Sequence, residues 1–288
     1  MTASQQPGPD GAPAVRLTGA ALFVGGRLLW SELDLAVLPG EFVAVLGANG
    51  SGKTSLLRVL LGRQPLRAGT VEVLGRAPNG GSSGIGYVPQ RAVGDAAGQI
   101  RARDLVRMGL DGERFGPRPP WSTAERLARE RVSAALASVG ATSFADEPIG
   151  MLSGGEFQRV RVAQAVVSEP RLLLCDEPLT ALDVRHQQEI AALIDRQRWS
   201  ADTAVLFVTH EINAVLPYAD KVLYLANGRF RLGTPDEVIT TESLSALYGS
   251  PVEVLRAGGR VAILAAASGD HHAIQADNPA GSDRRTAP

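Results

Sequence analysis

Lysine is almost missing from this chain of 288 residues. Of its 29 basic residues only Lys53 and Lys221 are lysine, and the others are arginine. Cys175 is the single cysteine, which excludes an intrachain disulfide. No apolar run approaches the ~18 residues of a membrane-spanning helix, and the N-terminal stretch lacks the apolar core of a signal peptide. We therefore expect a soluble, cytoplasmic protein.

The chain also has little net charge and few aromatic residues. The net charge is −1 and only 5% of the residues are aromatic. A nucleic-acid-binding surface needs a basic patch, and a base-stacking platform needs aromatic side chains. We therefore expect no nucleic-acid partner. The hydrophobic content of 44% is typical of a soluble globular protein with a proper core.

The chain divides into three parts by composition. Residues 1–13 and 268–288 are rich in Pro, Gly and polar residues without any period, which predicts disorder. We expect residues 14–267 to form one folded domain. Within it, residues 91–151 contain the capping box Ser122–Glu125 and several prolines, which predicts a small helical insertion.

One of the two lysines lies in a glycine-rich run, Gly47–Thr54, of the form G-x-x-x-x-G-K-[ST]. In such a loop, backbone N–H groups cradle phosphates, the lysine neutralises them and the final hydroxyl ligates Mg²⁺. The broad planar fork of arginine is a poor substitute for a slim ammonium here. The predicted nucleotide-binding residues are Gly47, Asn49, Gly50, Ser51, Gly52, Lys53, Thr54 and Ser55.

The surroundings of this loop predict an α/β fold. An apolar strand, 41–46, runs into the loop, and apolar residues at helical spacing follow it to residue 61. Two further apolar strands, 172–175 and 204–208, end in polar residues, as strands do at ligand sites of open α/β sheets. Residues 15–37 alternate around the Gly25-Gly26 turn, which predicts antiparallel strands.

Asp176 and Glu177 directly follow the strand at residues 172–175, which we expect to lie beside the glycine loop. One carboxylate near Mg²⁺ and a second that deprotonates water are what phosphoryl hydrolysis requires. Neighbouring residues at a strand end point in different directions. The pair therefore suits two separate roles.

The run Leu152-Ser153-Gly154-Gly155-Glu156 predicts a capped helix start, which is also an anion site. Together these motifs give the chain a close resemblance to the nucleotide-binding subunit of ATP-binding cassette (ABC) transporters, over about Val15 to Leu264. The resemblance implies a P-loop NTPase (RecA-like) core with an antiparallel β subdomain and an inserted α-helical subdomain. It implies an ATPase that uses ATP and Mg²⁺.

The resemblance also implies roles for individual residues. Ser153, Gly154 and Gly155 would bind the γ-phosphate of ATP held by the other subunit of a head-to-tail homodimer. Asp176 would hold Mg²⁺ together with Thr54, and Asp183 would communicate across the dimer. The implied catalytic residues are Lys53, Gln90 (which senses Mg²⁺), Glu177 as the base and His210 as the switch histidine.

The adenine contact departs from the family pattern. An aromatic residue usually precedes the turn at Gly25-Gly26 and stacks on the base, but Val24 stands there and Phe23 lies one residue earlier. A shift of one residue turns a strand side chain to the opposite face. Phe23 and other positions therefore remain open as the stacking residue.

A single cassette without a fused span resembles importer subunits. Such subunits lie on the inner face of the cell membrane, bound to a separate permease that works with an extracytoplasmic substrate-binding protein. Details in residues 211–255 resemble zinc or manganese importers most, and iron-siderophore importers are the nearest alternative. A soluble ABC ATPase of iron–sulfur assembly is a more distant one. The presence of Glu177 and His210 disfavours a non-hydrolysing binding module.

Overall fold

The computed structural model describes residues 11–80, 84–90, 98–112, 119 and 121–265. The predicted disordered ends lie outside these residues, except for residues 11–13. Residues 91–97, 113–118 and 120 of the predicted helical insertion also lie outside them.

A six-stranded sheet forms the centre of the fold, in the order β5-β6-β7-β3-β8-β9. All neighbouring strands are parallel except the β8–β9 pair. Parallel strands covered on both faces are apolar throughout, and all five residues of β6 and of β7 are buried. The strands are β3 (Phe42–Gly47), β5 (Ile85–Val88), β6 (Leu172–Asp176), β7 (Ala204–Val208), β8 (Lys221–Ala226) and β9 (Arg229–Gly233).

Two smaller antiparallel sheets flank the centre. One has the order β2-β1-β4, formed by β1 (Val15–Val24), β2 (Arg27–Val37) and β4 (Ala68–Val73). The other is the hairpin of β10 (Val252–Ala257) and β11 (Arg260–Ala265). Gly25 and Gly26 have φ values of 57° and 79°, which the tight turn between β1 and β2 requires. The predicted antiparallel strands are therefore confirmed.

Helices cover both faces of the central sheet. Two groups of buried apolar side chains, one on each face, form the core. The predicted α/β class is therefore confirmed. The helices are α1 (Lys53–Leu60), α2 (Ala102–Asp111), α3 (Thr123–Ser138), α4 (Gly154–Val166), α5 (Val184–Ala201), α6 (Ile212–Val215), α7 (Pro235–Val238) and α8 (Thr241–Tyr248).

The predicted capping box at the start of α3 is only half formed. The Ser122 hydroxyl accepts a hydrogen bond from the Glu125 N–H. The Ser122 N–H donates to the Pro119 carbonyl oxygen at 3.0 Å, and the Glu125 carboxylate is held instead by the guanidinium groups of Arg107 and Arg129. Charge-assisted bonds to two cations are stronger than one bond to a neutral backbone N–H. Glu125 therefore ties α3 to α2.

The strand β6, which ends in Asp176, does not pair with β3, because β7 lies between the two. The chain leaves β3 through α1 and crosses to one side of the sheet, and it later returns to the other side of β3 with β8. Such a reversal of strand order opens a crevice at the carboxyl ends of the strands, where α/β proteins bind ligands.

Candidate nucleotide and metal site

The glycine-rich loop joins the end of β3 to the start of α1, and its backbone requires glycine at two positions. Gly47 has φ 140°, and a Cβ atom there would lie 2.1 Å from the Leu225 carbonyl oxygen. Gly52 has φ 99°, and a Cβ atom there would lie 2.9 Å from Nε1 of the buried Trp30 indole. The loop is therefore packed directly on β8, which contains Leu225, and on β2, which contains Trp30.

The N-terminus of α1 is open to an anion. Gly52 precedes the helix, and no side chain of the described residues caps it. The first-turn N–H groups have no intrahelical acceptor. Asn49 and Gly50 are exposed beside them, and Ser51, Thr54 and Ser55 are half-buried. Ser51 Oγ is buried without a hydrogen-bond partner among the described residues. A phosphate group would satisfy these donors.

Lys53 points back over the loop and is only 5% exposed. Its Nζ donates hydrogen bonds to the carbonyl oxygens of Gly47 (2.7 Å) and Ala48 (3.2 Å). It also lies 3.9 Å from Glu177 Oε1. Burial lowers the pKa of Lys53, while the carboxylates of Glu177 and Asp176 raise it. This buried ammonium is thus placed to neutralise an anion.

Asp176 lies at the end of β6 and is reached by two hydroxyl groups. Thr54 Oγ1 donates to Oδ1 at 2.9 Å, and the Tyr87 hydroxyl donates to Oδ2 at 3.2 Å. Burial raises the pKa of Asp176, and the two hydroxyl bonds lower it. Although β6 does not neighbour β3, the first turn of α1 brings the loop to this carboxylate.

Glu177 is the centre of the site. The Gln90 amide donates to Oε2 at 2.8 Å, and the Thr180 hydroxyl donates to the same oxygen at 3.4 Å. Nδ1 of His210 lies 3.6 Å from Oε2. The sequence predicts that Gln90, Lys53, Glu177 and His210 lie in one site, and the structure brings all four together. A carboxylate in this position can accept a proton from water.

The backbone at this edge of the sheet is both strained and fixed. Glu177 has φ 48°, a conformation that is uncommon for residues other than glycine and occurs often at functional sites. Its N–H donates to the Val208 carbonyl oxygen (2.9 Å), and the Thr209 N–H donates to the Val45 carbonyl oxygen (3.2 Å). The sheet hydrogen bonding therefore continues beyond β6 and β7 into the site.

The donor groups near the loop fit a Mg²⁺ ion. Thr54, Gln90 and Asp176 offer a hydroxyl, an amide and a carboxylate oxygen, and Mg²⁺ prefers oxygen ligands. Nowhere in the described part of the chain do three or more His, Cys, Asp or Glu residues form a cluster that could hold a metal. Mg²⁺ bound here would need phosphate oxygens and water as further ligands, which is how nucleotide sites usually hold it.

Ser153 begins α4 with a complete capping box. Its hydroxyl accepts from the Glu156 N–H, and the Glu156 carboxylate accepts from the Ser153 N–H at 2.9 Å. Ser153 and Gly154 are exposed. Among the described residues, no hydrogen bond or ion pair joins residues 153–155 to the loop at residues 47–54. The predicted site residues therefore form two separate groups in one copy of the chain.

His186 connects the second group to Asp183. Its ring packs on Gly155, where a Cβ atom would lie 2.7 Å from Cδ2. Its Nδ1 lies 2.8 Å from Asp183 Oδ2, and its backbone N–H donates to Asp183 Oδ1 at 2.9 Å. The His186 side chain is 42% exposed. Its contact with Gly155 depends on the fold, and no local sequence pattern indicates it.

Phe23 and Val24 end β1 with similar exposure, at 46% and 44%. Both are available to an adenine ring by this measure.

Tyr87 is a site residue that the sequence does not predict, because its contact with Asp176 comes from the pairing of β5 with β6.

Comparison with known proteins identifies the sequence family. A model of the family described as ABC transporter matches residues 30–180. The hemin import ATP-binding protein HmuV of Streptomyces coelicolor is 36% identical over 258 residues, which cover 86% of this chain and 89% of HmuV. The zinc import ATP-binding protein ZnuC of Cereibacter sphaeroides is 38% identical over 219 residues, which cover 76% of this chain and 82% of ZnuC.

Two solved structures have the same fold. A chain of an inward-facing transporter described as metal-chelate type superposes with a TM-score of 0.73 at 28% identity, covering 89% of this chain and 98% of that one. A nucleotide-free ATP-binding cassette gives a TM-score of 0.68 at 19% identity, covering 83% and 96%. In the residues that the structure describes, no helix is long and apolar enough to cross a membrane.

Proposed function

This chain belongs to the ABC transporter family and is an ATP-hydrolysing subunit; on that premise, we propose that it drives the uptake of a divalent metal ion, zinc or manganese. The cluster of Lys53, Gln90 and His210 around Glu177 carries the hydrolytic part of the proposal. The cargo is proposed from the zinc import relatives. No residue of this chain needs to contact that metal.

We assign the loop at residues 47–54 to the phosphates of ATP. Lys53 is assigned to the β- and γ-phosphates, because a buried ammonium is stabilised by anions that replace its lost hydration. The start of α1 and the Ser51 hydroxyl, both without a side-chain partner in the described part of the chain, support the same assignment. Phe23 is a candidate for stacking on adenine.

Thr54, Asp176 and Gln90 are assigned to Mg²⁺. When bound, Mg²⁺ neutralises negative charge on the phosphates during hydrolysis. The hydrogen bond from Thr54 to Asp176 supports this assignment, because it brings the hydroxyl and the carboxylate within 2.9 Å of each other. A single ion could therefore contact both residues.

Glu177 is assigned as the base that deprotonates the attacking water. Its carboxylate is held by Gln90 and Thr180, so that it can orient one water molecule. His210 is half exposed beside it and is assigned to the γ-phosphate. This division of roles suits the two neighbouring carboxylates, because the backbone turns sharply between them at Glu177.

We propose that two copies of the chain form a homodimer in which Ser153, Gly154 and Gly155 of one copy bind the γ-phosphate held by the other. The exposure of Ser153 and Gly154 at a helix N-terminus supports this, since such a terminus attracts anions. Their separation from the loop of the same copy supports it further. Asp183, linked to Gly155 through His186, is placed to communicate between the copies.

The proposed partners are an integral membrane permease and an extracytoplasmic substrate-binding protein. The chain would then lie at the inner face of the cell membrane through its contact with the permease. The relatives HmuV and ZnuC are import ATP-binding proteins, which supports a separate membrane component.

A second candidate cargo is a metal chelate, such as iron held by an organic chelator. Two hemin import relatives, at 34% and 36% identity, favour it. The similarity to a transporter described as metal-chelate type favours it as well.

Uptake of radioactive zinc, manganese and iron chelate by cells with and without this chain would separate the two cargoes. We expect loss of zinc or manganese uptake without the chain, and recovery with the wild-type chain but not with Glu177→Gln. Loss of chelate uptake alone would favour the second candidate. Unchanged uptake of all three, with no membrane protein copurifying, would contradict the transport proposal.

A further inference from the structure

The Asp176 carboxylate is held on both of its oxygens. Thr54 donates to Oδ1 from α1, and Tyr87 donates to Oδ2 from β5. Thr54 is an assigned ligand of Mg²⁺, whereas Tyr87 has no role in the proposed function. Together the two bonds fix the plane of the carboxylate, because rotation about its bond to the side chain would break both of them.

The sheet register brings the Tyr87 hydroxyl to this carboxylate. Tyr87 pairs with Leu174 across the parallel strands β5 and β6. Side chains on a strand alternate between faces, so Leu174 and Asp176 point to the same face as Tyr87. The diagonal distance between such neighbours is within reach of an aromatic side chain.

Tyr87 is itself held in place as a hydrogen-bond donor. The Arg63 guanidinium lies over its ring, 5.9 Å from the ring centre, a favourable cation–π arrangement. The ring also packs against the buried apolar residues of this face of the sheet. The hydroxyl is therefore held at the Asp176 carboxylate from the side of β5.

We propose that Tyr87 is a positioning residue for the divalent metal: its hydroxyl holds the Asp176 carboxylate in the orientation that meets the ion. The inference rests on the proposed function, in which Asp176 and Thr54 hold Mg²⁺. Removing the hydrogen bond that orients a ligating carboxylate lowers metal affinity by roughly 10–100-fold. Tyr87 does not contact the nucleotide in this role, so nucleotide affinity without metal is independent of it.

Tyr87→Phe removes the hydroxyl and keeps the ring. The full chain is saturated with ADP, Mn²⁺ is titrated in as the probe, and free Mn²⁺ is measured by electron paramagnetic resonance. We expect Mn²⁺ affinity to fall by about tenfold or more, with ADP affinity in EDTA unchanged. In steady-state ATPase assays, the Mg²⁺ concentration for half-maximal rate rises, and kcat at saturating Mg²⁺ is largely kept.

Tyr224→Phe is the matched control, because it removes a different buried hydroxyl, one that is hydrogen-bonded to the Tyr248 hydroxyl at 3.1 Å. We expect this variant to bind Mn²⁺ as the wild type does. ADP binding in EDTA reports the folded fraction of each variant, so the Mn²⁺ titrations are compared on competent molecules only.

Unchanged Mn²⁺ affinity in Tyr87→Phe overturns the inference. An equal loss of affinity in both tyrosine variants also overturns it, because the effect would then be a general loss of packing. If the wild type with ADP binds no Mn²⁺, the metal assignment of the proposed function fails together with this inference. That result differs from a failure of Tyr87 alone, in which the wild type binds Mn²⁺ normally.

Discussion

Gln90 and Glu177, which lie 87 residues apart in the chain, are joined by a hydrogen bond of 2.8 Å from the Gln90 amide to Glu177 Oε2. Gln90 follows β5 and leads into the segment at residues 91–151. A movement of that segment would therefore reach Glu177 directly. The other carboxylate oxygen, Oε1, faces Lys53, so a single side chain connects the phosphate loop with the start of the predicted helical insertion.

Glu177→Gln should lower ATP turnover by roughly 10²–10⁴-fold, the usual contribution of a general base. The amide keeps the shape of the side chain but cannot accept the proton of water. ATP binding should remain, so an ATP-bound dimer should accumulate. Turnover is measured by phosphate release, and the dimer by analytical ultracentrifugation with and without ATP.

Glu130→Gln is a control for Glu177→Gln, because its side chain is 63% exposed on α3, where it pairs with Arg126 at 3.8 Å. It should hydrolyse ATP at the wild-type rate. If Glu177→Gln also keeps the wild-type rate, Glu177 is not the base.

Lys53→Ala should abolish ATP binding or hydrolysis, because a buried cation at the phosphates is lost. Lys221→Ala is the matched control, since it removes the only other lysine, which pairs with Glu41 at 2.7 Å. Nucleotide binding is measured by calorimetry for both variants. Normal binding and hydrolysis in Lys53→Ala would contradict the phosphate-site assignment.

Gly47→Ala should disrupt the loop more than its backbone conformation alone would. A Cβ atom there would lie 2.1 Å from the Leu225 carbonyl oxygen, whereas a Cβ atom on Gly75, at φ 76°, meets nothing within 4 Å. Gly75→Ala should therefore cost only about 1–2 kcal/mol of unfolding free energy, from the positive φ. Urea denaturation and ADP binding are compared for the two variants. Equal losses would show that the strand contact is unimportant.

Glu125→Gln should make the stability of the protein less dependent on pH. Hydrogen bonds to Arg107 and Arg129 lower the Glu125 pKa from 4.5 to about 2. Because the folded-state pKa is lowered, the carboxylate stabilises the fold fully above pH ~4.5 and loses that effect as the pH falls towards ~2. In urea denaturation at pH 7, the free energy of unfolding should be larger for the wild type than for the variant. This difference should shrink between pH ~4.5 and ~2. A constant difference would contradict this assignment.

The sequence predicts the phosphate loop and its neighbours well, because these features are local. The strand, the glycine turn and the helix at residues 41–61 follow from apolar spacing and from glycine. Asn227-Gly228 forms the tight turn between β8 and β9, and this dipeptide favours such turns. In each case, the residues that determine the structure lie within a few positions of each other.

The features that escape prediction depend on distant residues. The strand order that separates β6 from β3 depends on how α1 crosses the sheet. Tyr87 reaches Asp176 over 89 residues of sequence. Glu125 satisfies a local capping pattern but binds Arg107 of another helix instead. Glu177 combines a positive φ with a bond from its N–H to β7, and no local pattern specifies either feature.

The bonds from the Glu177 and Thr209 N–H groups to the sheet have a consequence for the timescale of motion at the site. Amide protons held in this way exchange with solvent only when the surrounding structure opens. Although both residues lie beyond the ends of strands, their amides should exchange as slowly as those of the core. The backbone at Glu177 and Thr209 would then stay fixed during an ATP cycle. Motion would be confined to side chains and to the segments around these residues.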